Sequence, residues 1–445
     1  MANPIWERTY IRIDGKLASP LLSGSGHNEK TDHDILRDRE GRPVVPGSSL
    51  AGAFLHQLRL LFPEEELKKL FGTSIRQSRL IVYDMTLNEW KPITRDGVKL
   101  DQYKTAVDQE KYDLEAVDRG ASYTIRLEWI VRQGTAQSQE KEAQWLYHLI
   151  DGLAEGSITI GAKSHRGFGK LTVAGVEYKH FNHRDKEESR KWLSWIWDDL
   201  GNGHKWNPGK SQLHIPRSPF CTKAERSLTV PLTISNTLMI RSYIVDIEEQ
   251  QIEYQQLRSG SDGQLPVIPG SSWAGALRAR LLTLLQSFFP TEKKKLEDIV
   301  DELFGTSGDK KDSLKASRLI VEESVVKESK KLPVTRNAID RFTGGTIDGA
   351  LFSAETSVGG YTELVLRWRS VESELPFDAI CGMLLWVIYD LQEGLLAVGG
   401  ETAIGRGIFK SNGAIRLDGK ELEQPSRYLK AATQFIQEKS KEAFA

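Results

Sequence analysis

The chain has 445 residues, 39% hydrophobic and 27% charged, which is typical of folded globular proteins. Its formal net charge of −1 does not indicate nucleic-acid binding, although 60 basic and 61 acidic side chains leave room for a basic groove. With only Cys221 and Cys381, a disulfide framework and a cysteine-based zinc site are excluded. No run approaches the roughly 18 apolar residues of a membrane span, and the first residues do not resemble a signal peptide. We therefore expect a cytoplasmic protein with no membrane partner.

Five blocks of sequence occur twice along the chain in the same order. The first block, PGSS, occupies residues 46–49 and again residues 269–272. The motifs LFGTS and SRLIV, a Pro-x-Thr-Arg segment and a glycine-rich segment follow in both halves, at offsets between 223 and 241 residues. A repeat of this length is too long for a solenoid unit, so each copy should have its own core.

The duplication predicts two domains and two connecting segments. We place the first domain at residues 1–178 and the second at residues 225–415. Between them, residues 179–224 carry the tryptophan-rich run RKWLSWIWDDL and a turn-rich stretch, which predict a linker with a short helix. Residues 416–445 end in an amphipathic pattern that predicts a C-terminal helix.

Within each copy the predicted elements follow one order. A strand of alternating apolar residues comes first, and the PGSS block then opens an amphipathic helix with serine as its cap. The SRLIV strand, a longer strand and a second helix follow, before the glycine-rich segment. The predicted ranges are 9–17, 48–61, 78–82, 124–131 and 143–156 in the first copy, and 227–235, 271–285, 317–321, 362–370 and 379–394 in the second. Two strand–helix–strand units form the split βαβ pattern of a ferredoxin-like fold, so we expect the α+β class.

Two polar segments of low periodicity interrupt the copies at residues 96–122 and 337–360. Their position between strands suits an extended hairpin. Arg95 and Arg336 lie directly before these segments. For each arginine, a phosphate contact and a structural ion pair are equally open.

These blocks resemble the RAMP superfamily, and in particular the backbone subunits of type III CRISPR effector complexes. The resemblance rests on PGSS, the LFG block, TRNAIDR at residues 335–341 and the glycine-rich GAKSHRGFGK, and it covers most of the chain. The tandem arrangement is similar to the fused double-backbone subunit of type III-D variant systems. The resemblance implies two tandem ferredoxin-like, RRM-like RAMP domains, each with a thumb hairpin insertion. It also implies an RNA-binding subunit of a ribonucleoprotein complex in antiviral defense, with guide CRISPR RNA, target RNA and other effector subunits as partners.

The resemblance implies guide-RNA contacts at the helix starts and glycine-rich segments. Free backbone N–H groups and hydroxyls at a helix start suit a phosphate. The family usually has a lysine two residues after the second serine; here Ala51 and Ala274 take that place, so the grip should be weaker or depend on arginines such as Arg278 and Arg280. The implied RNA-binding residues are Ser48, Ser49, Arg95, Lys163, Ser164, His165, Arg166, Ser271, Ser272, Arg336 and Arg406.

The family's catalytic aspartate maps to the acidic segment before the first PGSS block. Asp32 best matches the family's spacing and would be both the catalytic residue and the ligand of Mg²⁺ or Mn²⁺, with Asp34 as the second catalytic candidate. From composition alone, a solvated acidic loop is the simpler interpretation. In the second copy Glu253 pairs with Asp32, and every histidine lies at or before His214. We therefore expect the first domain to be a metal-dependent endoribonuclease and the second mainly to hold RNA.

Two other functions are consistent with the same residues. The chain could be a structural backbone subunit without chemistry. It could also be a ribonuclease that processes guide precursors with His27, His33 or His165, since relatives in the superfamily use histidine for that reaction. Metal dependence separates these alternatives, because histidine-based cleavage would survive EDTA.

Overall fold

A computed structural model describes most of the chain in two compact units. The described residues are 3–24, 34–100, 106–135, 138–207, 210, 215–217, 225–243, 254–260, 262–289, 293–306, 315–369 and 375–441. The first unit comprises residues 1–99, 107–164 and 168–222, and the second comprises residues 100–106, 165–167 and 223–445. Within the described part of the chain, no helix is long and apolar enough to cross a membrane.

The first unit contains an antiparallel sheet with helices on both faces. Its strands are β1 Ile5–Leu17, β2 Val44–Val45, β3 Leu80–Val82, β4 Met85–Asn88, β5 Pro92–Leu100, β6 Ala106–Val117, β7 Ser122–Arg132, β8 Leu171–Asn182 and β9 His204–Lys205. Its α-helices are α1 Gly47–Arg59, α2 Glu64–Phe71, α3 Gln139–Ala154 and α4 Lys186–Ser194. The sheet order is β2-β4-β7-β1-β8-β9, with β3 also paired to β7, while β5 and β6 form a separate hairpin.

The central strand β1 shows the alternation expected of a half-buried strand. Ile11 and Ile13 are fully buried and pack with apolar side chains of α1 and α3 in the core. Arg12, between them in sequence, points to the other face, where it pairs with Glu177. A period of two residues therefore determines which side of the sheet forms the core.

The outer face of this sheet is covered by the predicted linker. Trp192 donates its indole N–H to the Tyr10 hydroxyl at 2.8 Å. The rings of Trp195 and Trp197 lie 4.3 and 5.3 Å from the ring of Tyr10. Residues 186–202 thus contribute a helix and an aromatic layer to the first unit, and β8 continues to Asn182, past the predicted domain end at residue 178.

The second unit repeats this architecture. Its strands are β10 Glu225–Ile234, β11 Thr237–Leu238, β12 Arg241–Tyr243, β13 Tyr254–Gln256, β14 Arg258–Ser259, β15 Leu265–Ile268, β16 Leu319–Val321, β17 Ser324–Val325, β18 Lys330–Ile339, β19 Thr346–Val358, β20 Tyr361–Arg369, β21 Phe409–Ser411, β22 Arg416–Leu417 and β23 Lys420–Glu421. Its α-helices are α5 Gly270–Phe288, α6 Lys293–Phe304, α7 Phe377–Gln392 and α8 Pro425–Lys441. The largest sheet has the order β16-β20-β10-β22-β23, with β21 also paired to β10.

Corresponding elements pair in the same way in the two units. Strand β1 pairs antiparallel with β7, and β10 pairs antiparallel with β20. The helix that follows PGSS is α1 in the first unit and α5 in the second, and the second core helix is α3 or α7. The predicted α+β class with two tandem ferredoxin-like domains is therefore confirmed.

Each unit also contains the predicted hairpin insertion. Strands β5 and β6 pair in the first unit, and β18 and β19 pair in the second, where Arg336 lies opposite Phe352. Both hairpins begin a few residues earlier than predicted, at Pro92 and Lys330. Arg95 and Arg336 consequently belong to the first strand of each hairpin, rather than preceding it.

Candidate RNA-binding site

The PGSS block is held in place by the strand that follows it in sequence. Helix α1 begins at Gly47, where a Cβ would overlap the carbonyl oxygen of Val82, the last residue of β3. Gly270, at the start of α5, has the same relation to the carbonyl oxygen of Val321 in β16. Only glycine fits so close to a backbone oxygen. The PGSS and SRLIV blocks therefore pack against each other in both units, which determines where the serines lie.

The serines of the first unit are exposed in the first turn of α1. The N-cap residue is Pro46, and Ser48 and Ser49 lie inside the helix. The prediction that serine caps this helix is therefore wrong. The Gly47 N–H donates to a carboxylate oxygen of Asp84 at 2.7 Å, and the Ser49 N–H donates to the Pro46 carbonyl at 2.9 Å. The two hydroxyls thus face solvent at the positively polarised end of the helix.

The second unit has a similar helix start with less exposure. Its N-cap is Pro269, and the Ser272 N–H donates to the carbonyl of that proline at 3.0 Å. Ser271 is exposed, whereas Ser272 is half-buried. Three of the four predicted serine contacts are therefore exposed, two in the first unit and one in the second.

The glycine-rich segments are anchored identically to the chain after the first strand of each unit. The Ala162 N–H donates to the Leu22 carbonyl at 2.8 Å, and the Gly400 N–H donates to the Met239 carbonyl at 2.7 Å. These bonds join equivalent positions of the two copies. Each loop is therefore positioned by backbone contacts that do not depend on its side chains.

Two glycines enforce the same turn at the end of each loop. Gly169 has φ +75° and Gly407 has φ +71°, in the left-handed region. A Cβ at Gly169 would overlap the carbonyl oxygen of Ile160, and one at Gly407 would overlap that of Val398. Both the dihedral angle and the close approach require glycine. The two loops therefore share one backbone structure.

Lys163 and Glu401 occupy equivalent positions in these loops and carry opposite charges. Both have φ +57°, an uncommon value for a residue other than glycine. The Lys163 ammonium lies 4.0 Å from the centre of the Tyr112 ring, on hairpin strand β6. Glu401 instead forms an ion pair with Arg336, on hairpin strand β18. In both units this side chain contacts the hairpin. In the first unit the loop supplies a cation, and in the second it supplies an anion that pairs with a cation of the hairpin.

Glu401 is the centre of a cluster of cationic side chains. It accepts a hydrogen bond from the Tyr254 hydroxyl at 2.8 Å and pairs with Arg336, with the Arg406 Nε at 2.6 Å and with Arg241 at 3.9 Å. Burial raises the pKa of Glu401, but the hydrogen bonds from Tyr254 and Arg336 and the charges of the arginines outweigh it and hold that pKa below the ordinary value. The carboxylate is therefore ionised at neutral pH.

The cluster changes the interpretation of two predicted RNA-binding residues. The side chain of Arg406 is 7% exposed and lies against Glu401, so its contact is structural and its charge does not reach the surface. Arg336 forms the structural ion pair that its sequence position left open, yet its side chain remains 36% exposed. Of these two arginines, only Arg336 is placed to meet a ligand.

The remaining predicted contacts are Arg95, in the first hairpin, and the basic segment of the first glycine-rich loop. Arg95 is buried within the hairpin strand β5, which is at odds with a surface position for a phosphate contact. Ser164, His165 and Arg166 form a short 3₁₀ turn and are half-buried. Lys163, also half-buried, is the basic loop residue whose charge meets an aromatic ring rather than a carboxylate.

Most of the predicted catalytic residues lie outside the described part of the chain. These are Asp32 and, for the alternative ribonuclease, His27 and His33; Glu253, which aligns with Asp32, also lies outside it. Asp34 is described and buried; the adjacent Ile35 N–H donates to the Glu115 carboxylate at 3.3 Å. Among described residues, no group of three or more His, Cys, Asp or Glu side chains is arranged to hold a metal, but that set does not include Asp32. The metal site at Asp32 stays a prediction.

Three residues of the site were missed in the sequence. Asp84 accepts from the backbone of the helix start, and Arg241 and Tyr254 contact Glu401. Glu401 itself can be recognised from the sequence, because alignment of the two loops places this acid opposite the basic Lys163. No motif pointed to Arg241 or Tyr254, whose contacts arise from strands β12 and β13.

Comparison with known proteins identifies the family. No curated protein sequence matches the chain. A family model described as the RAMP superfamily matches residues 15–172 and 228–410, one range in each half of the duplication. The two ranges contain both helix starts and both glycine-rich loops, and together they cover well over half of the chain. The chain therefore belongs to the RAMP superfamily.

Proposed function

We propose that this protein is a subunit of a type III CRISPR RNA-guided effector complex, in which its two domains hold consecutive stretches of guide RNA. Membership of the RAMP superfamily supports a CRISPR-associated, RNA-binding role, with RNA and effector subunits as partners. The observation that carries the proposal is the repetition of one arrangement: exposed serines at a helix start and a glycine-rich loop anchored by backbone bonds. Two equivalent sites in one chain could each hold a stretch of RNA, because the sugar–phosphate backbone repeats along the strand.

The helix surface beside the serines supports a close approach of RNA. Gly52 and Gly275 lie one turn into α1 and α5, are exposed, and have no atom within 4 Å of where a Cβ would be. A glycine in a helix is about 1 kcal/mol less favourable than alanine. Packing among the described residues does not require either glycine. A sugar–phosphate backbone that lies against the helix would require glycine there, because a side chain would block its approach.

We further propose that the first domain cleaves target RNA. Asp32 would hold Mg²⁺ or Mn²⁺ through its carboxylate oxygens and accept the proton of the attacking 2′-hydroxyl; such oxygens are the ligands these ions prefer. A bound divalent ion would supply stabilisation of charge on the phosphate. The second domain has Glu253 at the matching position and no histidine, so it would mainly hold RNA.

The test uses the assembled complex with guide RNA and a labelled complementary target RNA. With Mg²⁺, we expect the wild-type protein to produce discrete cuts, and Asp32→Ala to lose one cleavage position while target binding is retained. Glu40→Gln is the matched control, because Glu40 is an exposed acid of the same segment and is not a catalytic candidate. Asp34→Asn is tested in parallel, and loss of the cut by that variant alone would assign the catalytic role to Asp34. Unchanged cutting by Asp32→Ala would refute the catalytic assignment.

The same assay separates the other two functions. Cleavage that survives EDTA favours a guide-processing ribonuclease with histidine chemistry. Stable guide and target binding without cleavage, with Mg²⁺ or Mn²⁺ present, favours a structural backbone subunit. A purified complex without nucleic acid contradicts the RNA-binding proposal itself.

A further inference from the structure

The cluster around Glu401 has more positive than negative charge. Three guanidinium groups, those of Arg241, Arg336 and Arg406, surround this one carboxylate. Arginine stays protonated in proteins, and Glu401 is held in its ionised form. The cluster therefore carries a formal charge of about +2 at neutral pH. Within the described part of the chain, no other carboxylate forms an ion pair with Arg241 or Arg336, so the three guanidinium groups share one carboxylate and leave positive charge that suits an anion.

The excess charge lies on the side of the cluster that faces solvent. The side chain of Arg406 is buried with Glu401, whereas that of Arg241 is 46% exposed and that of Arg336 is 36% exposed. The inner arginine thus balances the carboxylate. The two outer arginines present positive charge to an external anion.

The orientation of Arg241 leaves its hydrogen-bond donors available to a ligand. Its guanidinium lies 4.7 Å from the centre of the Tyr254 ring, a cation–π contact that restricts its rotamers. Its approach to Glu401 is 3.9 Å, longer than a hydrogen bond. A guanidinium has five N–H donors in a planar fork that matches a phosphate. Arg241 is therefore held in place by contacts that do not consume those donors.

The comparison of the two loops explains why a phosphate would bind here and not on the loop itself. In the first unit the position next to the hairpin is Lys163, which attracts an anion. In the second unit the equivalent Glu401 repels one. In the second domain, the electrostatic attraction for a phosphate is therefore strongest at Arg241 and Arg336, and not at the loop itself.

We propose that Arg241, together with Arg336, binds a phosphodiester group of RNA in the second domain. This inference rests on the proposed function and deepens it, because it names the residues that replace the basic loop. The ligand is the sugar–phosphate backbone, not the bases, since guanidinium groups facing solvent recognise the phosphate charge and shape.

The test measures the salt dependence of RNA binding by the full-length chain. Fluorescence anisotropy with a fluorescein-labelled oligouridylate gives the binding constant over a series of KCl concentrations. Each phosphate contact contributes a slope of about −0.7 in log K against log salt for single strands. We expect Arg241→Ala to make that slope less negative by about 0.7 and to weaken binding severalfold at low salt.

Two further variants make the result specific. Arg241→Lys keeps the charge and should restore most of the slope. Arg427→Ala, which removes an exposed arginine paired with Asp378 at the start of α7, should leave binding unchanged. Circular dichroism on thermal unfolding should give the same midpoint for Arg241→Ala and the wild type, because Arg241 is half exposed.

The outcomes distinguish the two proposals. If the wild-type chain binds the RNA and Arg241→Ala has the same slope, the Arg241 site is refuted and the proposed function survives. The site is supported if Arg241→Ala unfolds at the wild-type midpoint and shows the less negative slope, and if Arg241→Lys restores the wild-type slope. If the wild-type chain does not bind RNA, the proposed function fails and this inference fails with it.

Discussion

The glycine-rich loops of the two units have the same backbone and opposite charge. Their anchoring hydrogen bonds and left-handed glycines coincide position by position, yet Lys163 in one loop corresponds to Glu401 in the other. The backbone is determined by glycines and carbonyl contacts, and those contacts place no constraint on the side chain at this position. Duplication has therefore preserved a shape while allowing its electrostatics to invert. Likeness of fold between the units does not imply likeness of binding.

The outer faces of the two main sheets differ as well. In the first unit, Trp192 and Trp195 cover Tyr10 on β1. In the second unit, β10 is joined on its edge by β22, and Arg416 pairs with Glu363 beside it. One sheet is thus covered by aromatic rings from the following segment, and the other is extended by short polar strands. The two main sheets are therefore completed differently beyond the elements they share.

The largest expected effect tests whether the two loops really share one backbone. Gly169→Ala and Gly407→Ala each place a Cβ against a carbonyl oxygen at positive φ, so each should lower the free energy of unfolding by at least about 3 kcal/mol. Gly405→Ala is the control, since its φ is +85° but no atom lies within 4 Å; it should cost about 1 kcal/mol. Urea denaturation measures all three. An equal loss of unfolding free energy in Gly407→Ala and Gly405→Ala would contradict the close contact between Gly407 and the Val398 carbonyl oxygen.

A second prediction concerns the inverted charge. Removal of Glu401 leaves the buried Arg406 without its partner, so Glu401→Ala should destabilise the second unit by about 3 kcal/mol. Lys163→Ala in the first unit loses only a cation–π contact, worth about 0.5–1 kcal/mol. Chemical denaturation followed by tryptophan fluorescence gives both values.

A double variant identifies the cause of the Glu401 effect. Adding Arg406→Met to Glu401→Ala removes the uncompensated charge and should recover part of the lost stability. If the double variant is less stable than Glu401→Ala alone, the loss comes from packing rather than from charge, and the contrast with Lys163 is not electrostatic.

The smallest effect is a pH dependence that comes from buried histidines of the first unit. Burial, with a smaller contribution from Arg217, lowers the pKa of His148 to about 4. The unfolded chain then binds a proton at higher pH than the folded one, so stability is full above about pH 6.5 and has fallen by about 2 kcal/mol at about pH 5. Burial also lowers the pKa of His183, which adds to the same trend. The second half of the chain has no histidine after His214.

The measurement is a series of thermal unfolding curves between pH 7 and pH 4. Two transitions should separate as the pH falls from 6.5 to 5, because the buried histidines that lower stability there belong to the first unit. His148→Gln should reduce that separation. A second-unit transition that moves by the same amount in the same window would remove the asymmetry between the units.

Much of the fold could be predicted because it depends on local pattern. Alternation along residues 9–17 predicted β1, and the PGSS and SRLIV blocks located a helix and the strand beneath it in each copy. The site was predicted less well. Arg95 and Arg406 are basic residues next to motifs, yet both are buried, and the sequence offers no measure of the enclosure that surrounds them. The tryptophan-rich linker was likewise placed between the domains, although its rings pack on Tyr10.

The sequence by itself determined the duplication, the order of elements, the family and the positions where glycine is indispensable, because these follow from residue type and spacing along the chain. The tertiary structure alone decided which arginines face solvent, that Glu401 collects three of them, and that Arg241 and Tyr254 belong to the same cluster. Most of those features depend on contacts between residues more than 60 positions apart, such as those of Glu401 with Arg241, Tyr254 and Arg336. Such contacts are set by packing in three dimensions, which leaves no periodic trace in the chain.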